Sequence, residues 1–360
     1  MESLVTFLSF FLILVFLIVI HELGHFLVCK AFKIEVEEFG VFFPPRLVKL
    51  FQWGETEVTL NSIPLGGFVR PKGENDPGVA GGLAAAPAWQ RILVMVAGPL
   101  MNLLVAVVLY SVLSMTVGMP SKIVTIEEIV PGLPADSAGI KVGDQLVNIA
   151  GTRIESSQTA QDVIRANRGK EITIVVQRGA ETLDITLTPR VDVSDGKGSI
   201  GILMGGPIIK ASLLEAPGYG FSLTYEHSVA LFSFLGKFVS GQLGSDQGQL
   251  LGFVGMYNGY SEIRSLESQN VIPAGAGTMN FIIQITVSLG LLNLLPIPAL
   301  DGGRILLASV ELLTRRRVPT KLENALIGVT FLALIGLMIL VNGREIINLM
   351  FSAVTATPTP

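Results

Sequence analysis

The chain has 360 residues, of which 50% are hydrophobic and only 15% charged, and its mean hydropathy is +0.60. Water-soluble enzymes carry roughly a quarter of their residues charged, so an ordinary soluble enzyme is excluded. With 25 basic against 29 acidic residues the net charge is −4, without the basic excess that nucleic acid requires, so no nucleic-acid partner is expected.

Four stretches contain no Asp, Glu, Lys or Arg: residues 3–20, 92–121, 268–300 and 324–343. Each reaches or approaches the roughly 20 apolar residues that cross a bilayer as a helix. The first reads as a retained helix rather than a signal peptide, because Glu2 replaces a basic start and no small-residue cleavage site follows. It ends in His21-Glu22-Leu23-Gly24-His25. Helical positions four apart share a face, so both imidazoles can meet one Zn²⁺ with Glu22 beside it as a base. Two neutral nitrogen ligands and an open coordination position are what water activation needs. The pentapeptide uses two of only three histidines, and three ionisable groups at a membrane boundary call for a functional reason. Cys29 shares that face and reads as a small apolar filler rather than a ligand; as the single cysteine it forms no intramolecular disulfide.

Between the first two spans lie Lys30, Lys33, Arg46, Lys49, Arg70, Lys72 and Arg91, and between the last two lie Arg315, Arg316, Arg317 and Lys321. The positive-inside rule puts both connections in the cytoplasm and the segment from about 118 to 278 outside. Within the first connection, EVTLNSIPLGGFVR (57–70) alternates apolar and polar residues before a Gly66-Gly67 turn, as a short strand or hairpin does. Such an edge either holds an extended substrate by strand addition or merely covers the helix ends.

After the second span the composition becomes soluble. Strand-like IVTIEEIV, EITIVVQRG and TLDITLTP surround helix-like SSQTAQDVIRANR, with Gly and Pro turns between them, which predicts a small α+β domain. Further on, 192–198 and 244–249 read as loops. Residues 219–239 are apolar but carry Glu226, His227 and Lys237, so they predict an amphipathic surface helix rather than a fifth span. His227, outside by this topology, is read as non-catalytic.

The third span starts near Met279 and is interrupted around Pro296 and Pro298. Asp301, in Asn293-Leu-Leu-Pro-Ile-Pro-Ala-Leu-Asp301-Gly-Gly, is the only carboxylate deep in another apolar span. Its depth near the cytoplasmic side matches that of His21, which makes it the candidate third zinc ligand.

Two of these features, together with two others, carry a resemblance. Residues 130–154, VPGLPADSAGIKVGDQLVNIAGTRI, resemble the PDZ pattern of bacterial membrane proteases. HELGH in the first span, Gly98-Pro99-x-x-Asn102 in the second, that PDZ run, and the NLLPIPALDGG segment together resemble the site-2 protease family of intramembrane zinc metalloproteases, specifically the bacterial regulator-of-sigma-E protease group. The resemblance implies that His21, His25 and Asp301 bind zinc and that Glu22 is the catalytic acid and base. Asn293 and Asn102 occupy motif positions near the substrate and the core, and with Gly66 and Gly67 they form the expected substrate-binding set. It also implies that the β-loop dips into the membrane beside the active site. The implied substrates are single-span membrane proteins already trimmed outside, such as anti-sigma factors or remnant signal peptides. The PDZ domain then takes a peptide C-terminus or strand, filters substrates by size, or packs only against its own protein; one recognisable copy stands here where the best-known members carry two.

The expected architecture is a polytopic α-helical membrane protein of four transmembrane helices, with an α+β PDZ ectodomain and a short β-hairpin region. Its segments are 1–30 (helix one with HELGH), 31–90 (cytoplasmic-side β-loop region), 91–117 (helix two) and 118–195 (PDZ). There follow 196–278 (extracytoplasmic linker with amphipathic helix), 279–312 (helix three), 313–343 (basic loop and helix four) and 344–360 (tail). The expected setting is a multi-pass protein of the bacterial inner membrane, in contact with lipid, with its active site near the cytoplasmic side. Two other classes compete with this reading: a membrane-anchored PDZ adaptor with a structural zinc, against which the intact Glu22 and open fourth position speak, and a transporter, which predicts inverted repeats that the sequence does not contain.

Overall fold

A computed structural model describes residues 2–121, 123–193, 198–242 and 252–355. The predicted loop at 244–249, part of the one at 192–198, and the end of the tail lie outside the described residues. In chain order the elements are α1 (Glu2–Ala31), β1 (Val36–Trp53), β2 (Thr56–Pro71), α2 (Ala88–Thr116), β3 (Met119–Pro120), β4 (Val124–Ile129), α3 (Pro134–Ser137), β5 (Gln145–Ile149), β6 (Thr152–Arg153) and α4 (Ser157–Ala166). They continue with β7 (Ile172–Arg178), β8 (Glu181–Leu187), β9 (Ile202–Gly205), β10 (Ile208–Ile209), α5 (Ala216–Val239), α6 (Phe253–Ser268), α7 (Ala276–Asn293), α8 (Asp301–Thr314) and α9 (Thr320–Thr355). The chain forms two compact units, a helical one (Met1–Val112 with Ala216–Pro360) and a β domain (Leu113–Glu215).

In the helical unit, four helices are long and apolar enough to cross a membrane: Ser3–Ala31, Ala88–Thr116, Ala276–Asn293 and Thr320–Asn348. They coincide with the four charge-free stretches. The third stops at Asn293 because Pro296 and Pro298 supply no amide hydrogen to continue the ladder. The chain turns through Ile297 N–H to Leu295 O (2.7 Å) and Leu300 N–H to Ile297 O (2.8 Å), and a new helix opens at Asp301. Residues 219–239 form the helix expected of them, within α5, which packs on α7 and, at Gly220, closely on Val107 and Ser111 of α2.

Two features depart from the sequence expectation. The β1–β2 turn falls at Gly54 and Glu55, and Gly66 and Gly67 lie inside β2 rather than at a turn. The hairpin is also longer than 57–70, and residues 38–41 of β1 are flanked by 57–60 on one side and 67–70 on the other. Glu38, buried in that sheet, binds Arg70 (2.9 Å), Arg46 (3.3 Å) and the Thr59 hydroxyl (2.7 Å). The second is α6, which the sequence analysis does not anticipate. Its aromatic face meets α1, with Phe10 5.0 Å from Phe253 and 5.7 Å from Tyr257 between ring centroids. Its N-terminal amides are capped from α9: Glu345 accepts from Gly252 (2.7 Å) and Gly255 (2.9 Å), and Asn342 accepts from Phe253 (2.9 Å).

The β domain is built on one antiparallel sheet of order β8-β7-β5-β4-β9, with β6 beside β5, and on the separate β3–β10 pair. Alternate residues of β7 (Ile172, Ile174 and Val176) and β4 (Val124 and Ile126) point into an aliphatic core with Leu146, Ile149 and Ile200. Helix α4 closes it through Ala160 and Ile164, and the Ser156 hydroxyl caps its start by accepting from Thr159 N–H at 3.1 Å. Asp144, 1% exposed, receives a bidentate Arg178 fork at 2.7 Å on both arms and the Lys141 amide at 2.9 Å. Burial pushes its carboxyl up, but the Arg178 bonds outweigh that and hold it below the usual value. Strand β9 belongs to this sheet, so the unit reaches past residue 195, where the composition change had suggested its end.

Candidate active site

The HELGH spacing does what a helix dictates. His21 and His25 leave α1 on one face, with ring centroids 4.9 Å apart, and both are buried. Asp301, the first residue of α8, reaches them across the break after α7. His21 Nε2 lies 3.1 Å from Asp301 Oδ2, His25 Nε2 lies 3.4 Å from it, and the two Nε2 atoms are 3.3 Å apart.

This triangle fits zinc. A tetrahedral ion with ligand bonds of about 2.0–2.1 Å sets its donor atoms about 3.3 Å apart, which is the spacing of all three edges. The donor set, two imidazoles and a carboxylate, is one zinc takes, and three protein donors leave a fourth position open. His25 Nδ1 is 2.7 Å from the Val94 carbonyl oxygen, which can only accept; Nδ1 therefore carries the proton and Nε2 keeps its lone pair.

Two glycines make the close approach possible. A Cβ on Gly24 would collide with the Ala97 carbonyl, so a side chain there would hold α2 away from α1. A Cβ on Gly98 would run into His25 Nε2 and lie 2.8 Å from His21 Nε2, in the space an ion needs. Gly98 thus keeps a cradle that a single methyl group would fill.

Glu22 sits beside the triangle, on the wall of a cavity of about 310 Å³ that Phe68, Val69, Asn293 and Arg304 also line. Its Oε2 accepts the Val69 N–H at 3.0 Å, so the outer edge of β2 faces the carboxylate. A Cβ on Gly67 would lie 3.6 Å from Glu22 Cγ, whereas Gly66, one residue away, faces the Phe43 ring. Asn293 Nδ2 is 3.5 Å from His21 Nε2, and the Asn102 amide is 3.3 Å from His21 Nδ1. Arg304, one turn beyond Asp301, lines the same cavity and pairs with Glu74.

Of the residues singled out from sequence, His21, Glu22, His25, Asp301, Asn293 and Gly67 come together here. Asn102 stands behind His21, away from the cavity wall. Cys29 is buried in an apolar cluster with Phe26, Ile34 and Val36, as a filler should be. His227 is elsewhere, its Nδ1 3.1 Å from the Tyr110 hydroxyl. The residues legible in the sequence leave out Arg304, although its i+3 spacing from Asp301 is a usable signal. Val69 and Val94 are left out as well, because they contribute main-chain groups and so leave no mark in residue type.

Residues 9–337 match Peptidase family M50. The chain belongs to this family, the site-2 proteases. An M50 relative from Clostridium perfringens, named for zinc metalloprotease activity, is 35% identical over 335 residues, covering 92% of this chain and 95% of the relative. The regulator of sigma-W protease RasP of Bacillus subtilis is 27% identical over 418 residues, covering 93% and 97% respectively. The zinc metalloprotease RasP of Geobacillus kaustophilus is 26% identical over 426 residues, covering 96% and 98%. This M50 protein is accordingly a membrane-embedded zinc metalloprotease.

Proposed function

We propose that the protein hydrolyses peptide bonds within or at the edge of the transmembrane segment of single-span proteins that another protease has already trimmed. His21, His25 and Asp301 hold the zinc. The observation that carries this reading is the near-equilateral donor triangle with Glu22 on the cavity wall beside it. When bound there, zinc supplies a Lewis acid for the attacking water and the scissile carbonyl. Glu22 takes the proton from that water as its oxygen bonds to the carbonyl carbon, then gives it to the amine as the C–N bond breaks. The Val69 N–H fixes one Glu22 oxygen and leaves the other for the proton.

A substrate helix must unwind before its carbonyls can be reached, because they are hydrogen-bonded along the helix. The 67–71 edge of β2 receives the unwound segment as an added strand, Gly67 keeps that edge free of bulk beside Glu22, and Asn293 donates to the substrate backbone. The β domain is a PDZ domain that takes a peptide C-terminus or strand and acts as a size filter outside the membrane. The reaction centre lies near the cytoplasmic side of the bacterial inner membrane. Membrane-bound anti-sigma factors fit the substrate class, as does the name of the Bacillus relative, and remnant signal peptides share its chemistry.

The test pairs metal analysis with cleavage of a tagged single-span substrate in detergent. Glu22→Gln is expected to keep about one zinc while cleavage falls by about 10²–10⁴-fold; substantial residual proteolysis would overturn the role of Glu22. Unchanged zinc stoichiometry in Asp301→Ala would remove Asp301 from the ligand set.

A further inference from the structure

Helix α2 places Val94, Gly98 and Asn102 at successive four-residue steps, so the three stand in one row on one face. That row lies behind the two histidines. The Val94 carbonyl receives the His25 Nδ1 proton, Gly98 leaves space at both Nε2 atoms, and the Asn102 amide meets His21 Nδ1. A neutral imidazole that offers Nε2 to a metal carries its one proton on Nδ1, so the group facing Nδ1 must accept. For His25 that group is Val94. For His21 it is Asn102, fully buried and 3.3 Å away.

An asparagine amide presents either its oxygen or its nitrogen with the same outline. With Nδ2 turned to His21, both groups compete to donate, and Asn102 Oδ1 is buried without a hydrogen-bond partner among the described residues. A buried acceptor left unmade loses its hydration with nothing in return. The opposite orientation gives Oδ1 the ring N–H and leaves Nε2 with its lone pair towards His25 and Asp301. The Asn102 main chain is itself held, its carbonyl accepting the Thr286 hydroxyl of α7 at 3.2 Å.

We infer that Asn102 is a positioning residue rather than a substrate-binding one: its side-chain oxygen accepts the Nδ1 proton of His21 and so sets the tautomer and ring orientation in which His21 binds zinc. This rests on the assignment of His21 as a ligand. It makes α2 a template that supplies both outer acceptors, one from the main chain and one from a side chain.

The experiment measures zinc affinity of the full chain in detergent, by competition with a chromophoric chelator, for the native protein and for Asn102→Leu, Asn102→Asp and His21→Ala. Asn102→Leu keeps the volume and loses the acceptor, so its affinity is expected to fall about 10- to 100-fold, the usual effect of removing a partner of a metal-bound histidine. Asn102→Asp keeps an acceptor and is expected to stay close to native. Native affinity in Asn102→Leu overturns the inference. So does an equal loss in Asn102→Leu and Asn102→Asp, which would make the residue a packing element. Unchanged zinc binding in His21→Ala would instead overturn the ligand assignment on which the inference rests. A second readout does not depend on affinity: in the zinc-loaded native protein, ¹⁵N spectra of labelled histidine are expected to show His21 with its proton on Nδ1 in a hydrogen bond that Asn102→Leu abolishes, and a His21 Nδ1 signal unchanged in Asn102→Leu overturns the inference.

Discussion

Ile149, Ile174 and Val176 of the β domain are fully buried, whereas Leu332 and Leu340 of α9 are 68% and 72% exposed on the protein surface. The sequences look equally apolar, but the solvents differ. In water, burying aliphatic side chains against each other is the driving force, at about 25 cal/mol per Å², and the β domain builds one contiguous core beside the buried Asp144 carboxylate and its Arg178 partner. Lipid removes that drive, since hydrocarbon chains are as apolar as leucine. The helical unit keeps smaller apolar clusters, around Phe26 and around Phe10, and adds backbone approach at Gly24 and Gly98, the Glu345 and Asn342 caps that tie α9 to α6, and polar contacts around His21 and His25. One chain therefore uses two balances of cohesion, and in the membrane part the close approach at Gly24 and Gly98 also shapes the candidate site.

Substitutions that add or remove a single group test this division. The largest effect is expected from Gly98→Ala, whose methyl occupies the space at the two imidazole nitrogens. Zinc content is expected to drop from about one per chain towards zero, together with cleavage, while circular dichroism keeps its helical signal; full zinc loading in that variant would show that the rows of α1 and α2 can separate. In the β domain, Asp144→Ala removes the acceptor of the Arg178 fork and of the Lys141 amide and is expected to cost about 1–3 kcal/mol, with zinc content unchanged. Because the folded state holds the Asp144 carboxyl low, its contribution is present above the unfolded value of about 3.9 and is lost as pH falls through the lower folded value. Acid melting of the native chain and the variant should therefore converge at low pH. Ile174→Val, one methyl from the core, is expected to cost about 1 kcal/mol by thermal or denaturant unfolding. Leu332→Ala on the outer surface of α9 is expected to stay within about 0.5 kcal/mol, and a larger loss would mean that this surface is covered by protein.

Legibility in the sequence follows the range of the interaction. HELGH reads directly because its geometry is set within one helical turn, and Asp301 reads from depth because charge in an apolar span is rare. The four spanning helices read because length and composition define them locally. The turn at Gly54 was misplaced onto Gly66 and Gly67, since a glycine pair inside a strand has the same local signature as a turn. Strand β9 and helix α6 did not read, the first being four residues between loops and the second defined by aromatic contacts to Phe10, some 250 positions earlier in the chain. The partners of the reactive groups were the least visible, because Val69 and Val94 act through atoms that every residue but proline, or every residue, possesses.

The break between α7 and α8 has a consequence in plain distance. Asn293 and Asp301 are eight positions apart, and an unbroken helix would separate them by about 12 Å along its axis. Both nonetheless reach the same nitrogen, His21 Nε2, at 3.5 and 3.1 Å. Pro296 and Pro298 shorten the path: the chain doubles back over seven residues, so that the last side chain of one helix and the first of the next arrive at one atom. Replacing both prolines with alanine would permit a straight rod in which only one of these two side chains could keep that appointment.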